Sequence, residues 1–291
     1  MDETGEQATI KLGLIGRGIS KSLAPRLHRW LGEQHGLPVS YDLIDTEGRR
    51  DFDLHAQIDR CAAAGYHGVN ITHPYKQSAI TAVSDIDPAI ANLGAINTVI
   101  FSDHGISGHN TDYSGFKRAV LDAFPNARPV NPFIAGCGGV GRAVAFALFD
   151  LGAQTIRIHD RDAGQMQRLA DDLVRSGARI ETIDKINVVE AMQTSSNICN
   201  CTPVGMHNHP GMPLPIAGFG RQNWVFEAIY TPLKTEFALQ AERSDIPVLY
   251  GSSLFLFQGL DAFELFTGRT ATPETIKPEV DSWFAAASRP S

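Results

Sequence analysis

Residues 131–162 read NPFIAGCGGVGRAVAFALFDLGAQTIRIHDRD, and this stretch decides the fold. An apolar strand runs into a glycine turn, a long apolar helix follows at once, and a second strand closes the unit. Gly136, Gly138 and Gly141 stand in the pattern G-x-G-x-x-G. That pattern alone is weak, because glycine turns are common. Its place between a strand and the helix opened by Gly139 and Val140 strengthens it. There the glycines let the backbone turn tightly and approach a pyrophosphate, whose charge lies on the helix N-terminus. Asp160 follows about twenty residues beyond the last glycine, at the end of the second strand. A carboxylate at that point accepts hydrogen bonds from a ribose 2′-OH and repels a 2′-phosphate. Asp162 adds to the repulsion, whereas Arg161 argues the other way, since arginine is the usual phosphate partner. NAD is expected over NADP.

Strand and helix patterns alternate on both sides of this unit. Upstream, IKLGLIG (10–16) predicts a strand. Leu23, Leu27, Trp30 and Leu31 repeat with helical spacing until Gly36. VSYDLID reads as a strand, FDLHAQIDRCAAAGY as a helix and HGVNI as a third strand. Such alternation favours parallel pairing with helices on the sheet faces. DYSGFKRAVLDAFP predicts a helix able to link two domains, and the chain from SSLFLFQGLDAFELFTG onward is helical. The expected fold is α/β. An N-terminal α/β substrate domain (1–112) is completed by C-terminal helices (251–291), and a Rossmann-type domain (113–250) lies between.

The totals agree with a two-domain globular protein. There are 291 residues, 43% hydrophobic and 20% charged, with a net charge of −7. No basic stripe exists, so nucleic acid and anionic membrane surfaces are poor partners. No apolar run is long enough to span a bilayer, and MDETGEQATI lacks a signal-peptide pattern. Four cysteines do not make a disulfide scaffold in a chain of this length. A cytoplasmic location is expected. Cys199, Cys201, His207 and His209 offer zinc-compatible ligands, but their spacing is not that of a structural site, and no metal is expected.

Seven ordered segments resemble the shikimate dehydrogenase family, and in particular its NAD-dependent quinate/shikimate dehydrogenase branch. They are GVNITHPYK, LGAINTVI, GHNTDYSGF, GCGGVGRAV, CNCTPVGM, EAIYTP and SLFLFQGLDAFELFTG. The resemblance implies reversible oxidation of quinate or shikimate to 3-dehydroquinate or 3-dehydroshikimate. Lys76 and Asp112 would be the catalytic pair. The chemistry agrees, since oxidising a secondary alcohol needs a positioned group that accepts the hydroxyl proton while hydride leaves carbon. By the same resemblance Thr72, Asn97 and Gln258 line the substrate pocket, and Ser22 and Tyr230 hold the substrate carboxylate. Thr202, Pro203 and Gly251 join Asp160, Arg161 and the glycine loop around the cofactor. The implied partner is a small hydroxylated ring carboxylate, with a homodimer left open.

Three departures bear on specificity. Registered on Pro25 and His28, the family's paired hydroxyls fall on Ser22 and Ala24, so one is missing. Leu254 replaces a frequent methionine, a swap of similar volume. HDRD replaces the Asn-Arg-Ser/Thr sequence of NADP-using members. Alternatives are therefore an NADP-linked biosynthetic shikimate dehydrogenase, a paralogue for a related ring acid such as aminoshikimate, and a ligand-sensing regulator that lost the chemistry.

Overall fold

The structure, a computed structural model, describes residues 8–287. They form two compact units: one runs to Thr111 and resumes over Gln258–Pro273, and the other comprises Asp112–Phe257 and the chain from Glu274.

The first unit holds strands β1 (Ile10–Gly16), β2 (Val39–Asp45), β3 (Gly68–Ile71), β4 (Asp85–Ile86), β5 (Thr98–Ser102) and β6 (Gly105–His109), in the order β2-β1-β3-β5-β6-β4. The first two strands coincide with the segments read from the sequence. Helices α1 (Ala24–Gln34) and α2 (Leu54–Ala63) carry the crossovers that make β2, β1 and β3 parallel. Pro25 sits in the first turn of α1, where its missing N–H costs nothing. The Asp53 carboxylate caps α2 by accepting from Ala56 N at 3.1 Å. Beyond β3 the sheet is mixed: β5 runs antiparallel to β3 and β6 antiparallel to β5, while β4 pairs parallel with β6. Asp103 and His104 alone separate β5 from β6, and so short a link joins only antiparallel strands. Leu12, Leu14, Ile19 and Tyr41 form a core with Ala262 and Phe266 from the returning chain.

The second unit begins in helix α3 (Thr111–Ala123). It continues through β7 (Phe133–Ala135), α4 (Gly139–Asp150), β8 (Ile156–His159), α5 (Ala163–Arg175) and β9 (Ile180–Thr182). Then come α6 (Val188–Gln193), β10 (Asn197–Asn200), β11 (Trp224–Glu227), α7 (Glu236–Arg243) and β12 (Val248–Tyr250). The sheet is wholly parallel, in the order β12-β11-β10-β7-β8-β9. The chain winds outward from β7 and then returns beside it with β10, so a topological switch point lies between those two strands. Ligands of open α/β sheets bind at the carboxyl ends of strands there. Every residue of β7, β10 and β11 is buried, as expected for central strands covered on both faces. This is the Rossmann-type unit expected from the sequence.

Helix α8 (Gly251–Thr267) passes from the second unit into the first, and α9 (Pro273–Ala287) belongs from Glu274 to the second. Phe284 of α9 packs edge-on against Phe255 at 5.4 Å between ring centroids. No helix among the described residues is long and apolar enough to cross a membrane.

Candidate active site

At the switch point, the three glycines of the loop have three different duties. Gly136 has φ +96, and a Cβ there would come within 2.7 Å of the Cys201 backbone on β10's far end. A Cβ on Gly141 would overlap the Gly136 carbonyl oxygen, so this glycine lets α4 close onto the strand. Gly138 has nothing within 4 Å of its Cβ direction, and it caps α4 in an extended conformation with no side-chain cap. The first and last glycines are thus required by the protein itself. The middle one faces open space beside the uncapped amides of Gly139, Val140 and Gly141, a cradle that fits a pyrophosphate.

Asp160 stands at the end of β8 with both carboxylate oxygens held. Oδ2 accepts from Cys137 N at 2.6 Å and Oδ1 from Asp162 N at 2.9 Å. The carboxylate is thereby tied to the glycine loop itself, with lone pairs remaining for ribose hydroxyls. Asp162 is engaged differently: it caps α5 by accepting from Gln165 N at 3.0 Å. Arg161 is exposed. The residues present fit a dinucleotide whose ribose keeps its free hydroxyls.

The loop after β10 is built around Asn200. Its Oδ1 accepts from Thr202 N at 3.1 Å and from Thr202 Oγ1 at 2.7 Å, and Thr202 Oγ1 in turn accepts from Val204 N at 3.2 Å. Pro203 is exposed beside them. Gly251, at the start of α8, admits no side chain because a Cβ would strike the Ala228 carbonyl.

In the first unit, the segment after β3 turns back at once, with Tyr75 N donating to Thr72 O at 2.9 Å. Ile96 N then donates to Lys76 O at 2.8 Å, which sets the half-buried Lys76 backbone against the residue preceding Asn97. Asn97 is 3% exposed, and its orientation is decided by chemistry. Thr111 N, which can only donate, lies 2.7 Å from Oδ1, and Thr98 Oγ1 donates to the same oxygen at 3.0 Å. The amide oxygen is therefore saturated. Nδ2 gives one hydrogen to Thr111 Oγ1 at 3.0 Å and keeps the other, so Asn97 has a donor to offer and no acceptor. Behind it, Asn70 Nδ2 donates to Thr98 Oγ1 at 3.1 Å and Tyr41 Oη donates to Asn70 Oδ1 at 2.8 Å. These buried residues hold Asn97 in place.

Ser22 is half-buried and its Oγ accepts from Ala24 N at 3.2 Å, while Ser20 is exposed. Asp45, at the end of β2, holds the preceding loop by accepting from Gly18 N at 2.9 Å and Ile19 N at 3.0 Å. Gln258 is half-buried on α8.

In the second unit, Asp112 is buried in the first turn of α3. Tyr230 packs tilted against Phe255 and edge-on against Phe284, at 5.6 and 5.5 Å between ring centroids. Burial against these rings, reinforced by the Asp112 carboxylate, raises the Tyr230 phenol above its ordinary range, though 38% of the residue stays open and screens that field. Ser22, Thr72, Lys76, Asn97 and Gln258 thus belong to one unit, and Asp112, Tyr230 and the cofactor residues to the other.

Cys199 is wholly buried, and burial drives the thiols of Cys199 and Cys201 upward. His207 and His209 are exposed. Among the described residues no group of three or more such ligands is arranged to hold a metal ion. The residues that sequence reasoning missed are Asn200, Glu227, Asn70 and Thr98. Each lies inside a motif quoted for another residue, and a polar residue in an otherwise apolar strand was the available signal.

Residues 14–99 match the family described as the shikimate dehydrogenase substrate binding domain. The quinate/shikimate dehydrogenase (NAD(+)) of Corynebacterium glutamicum strain R is 36% identical over 265 residues, covering 89% of this chain and 94% of the relative. The shikimate dehydrogenase (NADP(+)) of Streptomyces avermitilis is 37% identical over 279 residues, covering 94% of this chain and 95% of the relative. The crystallised quinate dehydrogenase from Corynebacterium glutamicum in complex with NAD superimposes with a TM-score of 0.87 at 34% identity, covering 94% of this chain and 99% of that one. The two relatives differ in cofactor at nearly equal identity, so identity alone does not choose between NAD and NADP.

Proposed function

The chain belongs to the shikimate dehydrogenase family, and from that premise we propose that it is an NAD-dependent quinate/shikimate dehydrogenase. It would oxidise the ring hydroxyl that becomes the 3-keto group, reversibly. The observation that carries the cofactor choice is Asp160, whose carboxylate is anchored to Cys137 N at 2.6 Å and to Asp162 N at 2.9 Å. A carboxylate so fixed cannot swing away from a 2′-phosphate, and it repels that group.

NAD, when bound, supplies the hydride acceptor. Lys76 takes the proton of the substrate hydroxyl, with Asp112 as its partner in the catalytic pair. Asn97 donates to a neighbouring ring hydroxyl, and Thr72 and Gln258 complete the polar lining. Ser22 and Tyr230 hold the carboxylate. The unit carrying Lys76 would take the ring acid and the Rossmann-type unit the NAD. The single hydroxyl of Ser22, with Ala24 beside it, keeps a related ring acid as the second reading.

A two-by-two steady-state assay tests this: quinate or shikimate with NAD⁺ or NADP⁺, followed as reduced cofactor. Turnover with NAD⁺ and little with NADP⁺ is expected. Turnover with NADP⁺ alone would mean that Arg161 outweighs Asp160. Binding of NAD without turnover of either acid would move the substrate to another ring carboxylate. Lys76→Ala separates an enzyme from a ligand sensor, since only the enzyme loses its response while still binding NAD.

A further inference from the structure

Glu227 ends β11 and faces Asn200, its register partner at the end of β10, and both are fully buried. Its carboxylate accepts four hydrogen bonds from three residues. Oε1 accepts from Asn200 Nδ2 and from Ile229 N, both at 3.0 Å. Oε2 accepts from Asn200 Nδ2 at 3.1 Å and from Thr235 Oγ1 at 2.5 Å. Asn200 cannot turn round, because its Oδ1 is committed to Thr202 N and Thr202 Oγ1. Thr235 in turn caps α7 through Ala238 N at 3.2 Å.

One carboxylate therefore ties together three pieces of chain: the 200–204 loop carrying Thr202 and Pro203, the Ile229–Tyr230 segment, and the start of α7. All three leave the carboxyl ends of β10 and β11, where a parallel sheet of this order receives its ligands. Burial opposes the charge and pushes the Glu227 carboxyl up to about 7. Val225 and Phe226 show that an apolar side chain suits this strand, so the sheet itself does not call for a buried acid.

We propose that Glu227 is a positioning residue that sets the cofactor loop and the Tyr230 segment in register with each other. This rests on the dehydrogenase reading for the identity of the two ligands. Glu227→Asp keeps the charge but, one methylene shorter, cannot span Asn200, Ile229 and Thr235 at once. Glu227→Gln keeps an oxygen for Ile229 N and for one hydrogen of Asn200 Nδ2, while the amide nitrogen that replaces Oε2 stands against Asn200 Nδ2 donor to donor and weakens that link. Asn200→Ala removes the link to the cofactor loop together with the bonds that Thr202 N and Thr202 Oγ1 donate to Asn200 Oδ1.

The expected pattern is a split in KM. Glu227→Asp raises KM for both NAD and the ring acid, by about tenfold each, the scale of losing a charge-assisted hydrogen bond. Glu227→Gln and Asn200→Ala raise KM for NAD and leave KM for the acid within about twofold. Glu227→Gln with Asn200→Ala is no worse than Asn200→Ala alone, since both act on one path. A merely structural carboxylate would lower the melting temperature and leave both KM values alone. That result, or a rise in the acid KM of Glu227→Gln equal to its NAD rise, overturns the proposal. If the wild type turns over neither quinate nor shikimate, the dehydrogenase reading fails on its own. NAD titration by intrinsic fluorescence then decides: weakening in Glu227→Gln and Asn200→Ala supports the positioning role, and unchanged affinity in both overturns it.

Discussion

His28→Leu should flatten the acid limb of the stability profile. His28 is 1% exposed on the buried face of α1, stacked on Tyr41 at 4.9 Å, with the rings of Phe263 and Phe266 at 6.3 and 5.7 Å. Its Nδ1 has no hydrogen-bond partner among the described residues, so no acceptor stabilises a second proton. Burial accordingly lowers its pKa from 6.5 to about 3. A folded value below the unfolded one contributes stability that is complete above the unfolded pKa and is lost as pH falls toward the folded pKa. Each pH unit in that window is worth about 1.4 kcal/mol. Between pH 7.5 and 4.5 the wild type should lose about 3 kcal/mol through this residue alone. Leu cannot titrate, and it gives up the stacked ring at a cost of about 1–2 kcal/mol near neutrality. The wild type should be the more stable protein at pH 7.5 and the variant at pH 4.5, with the curves crossing at roughly pH 5–6. Urea unfolding of both proteins at four pH values gives the difference, in which every other titrating group cancels. A difference that stays constant from pH 7.5 to 4.5 would refute the reasoning, as would a His28 ring resonance titrating near its ordinary value.

Asp160→Ser should lower kcat/KM with NAD by about tenfold or more and raise it with NADP, because two ribose bonds and one repulsion disappear together; steady-state kinetics with both cofactors checks this. Gly138→Ala should fold with an unchanged melting temperature yet bind NAD weakly, since its methyl meets only the open cradle. Gly141→Ala should unfold at lower temperature, its methyl meeting the Gly136 carbonyl, and a calorimetric scan of the pair separates the two roles. Glu227 should act on stability in the sense opposite to His28. Its carboxyl is raised from 4.5 to about 7, so its contribution is complete below the unfolded value and is lost as pH rises to about 7, by about 3 kcal/mol relative to Glu227→Gln in urea titrations.

Much of the architecture follows from short-range pattern. The extents of β1 and β2, the strand–glycine–helix unit at Phe133–Asp150 and the Rossmann-type winding are set by residue spacing within a dozen positions or so, where periodicity and glycine conformation act locally. The positions of Gly136, Gly138, Gly141 and Asp160 were legible for the same reason. What the spacing did not reveal is which lone pair each polar group keeps free. Asn97 is a pure donor because Thr111, fourteen residues on, joins the adjacent Thr98 in filling its oxygen, at 2.7 and 3.0 Å. Glu227 bridges two loops because strand register sets it opposite Asn200. Asp162, read as a charge facing the cofactor, is engaged as a helix cap. The antiparallel β5–β6 hairpin likewise depended on a two-residue turn whose consequence appears only once β3 is beside it. The sequence by itself determined which chemical groups the protein owns and the strand ends that carry them. Tertiary structure decided how those groups are spent, because hydrogen bonds saturate, and the partner that saturates them is chosen by strand register rather than by neighbourhood in the chain.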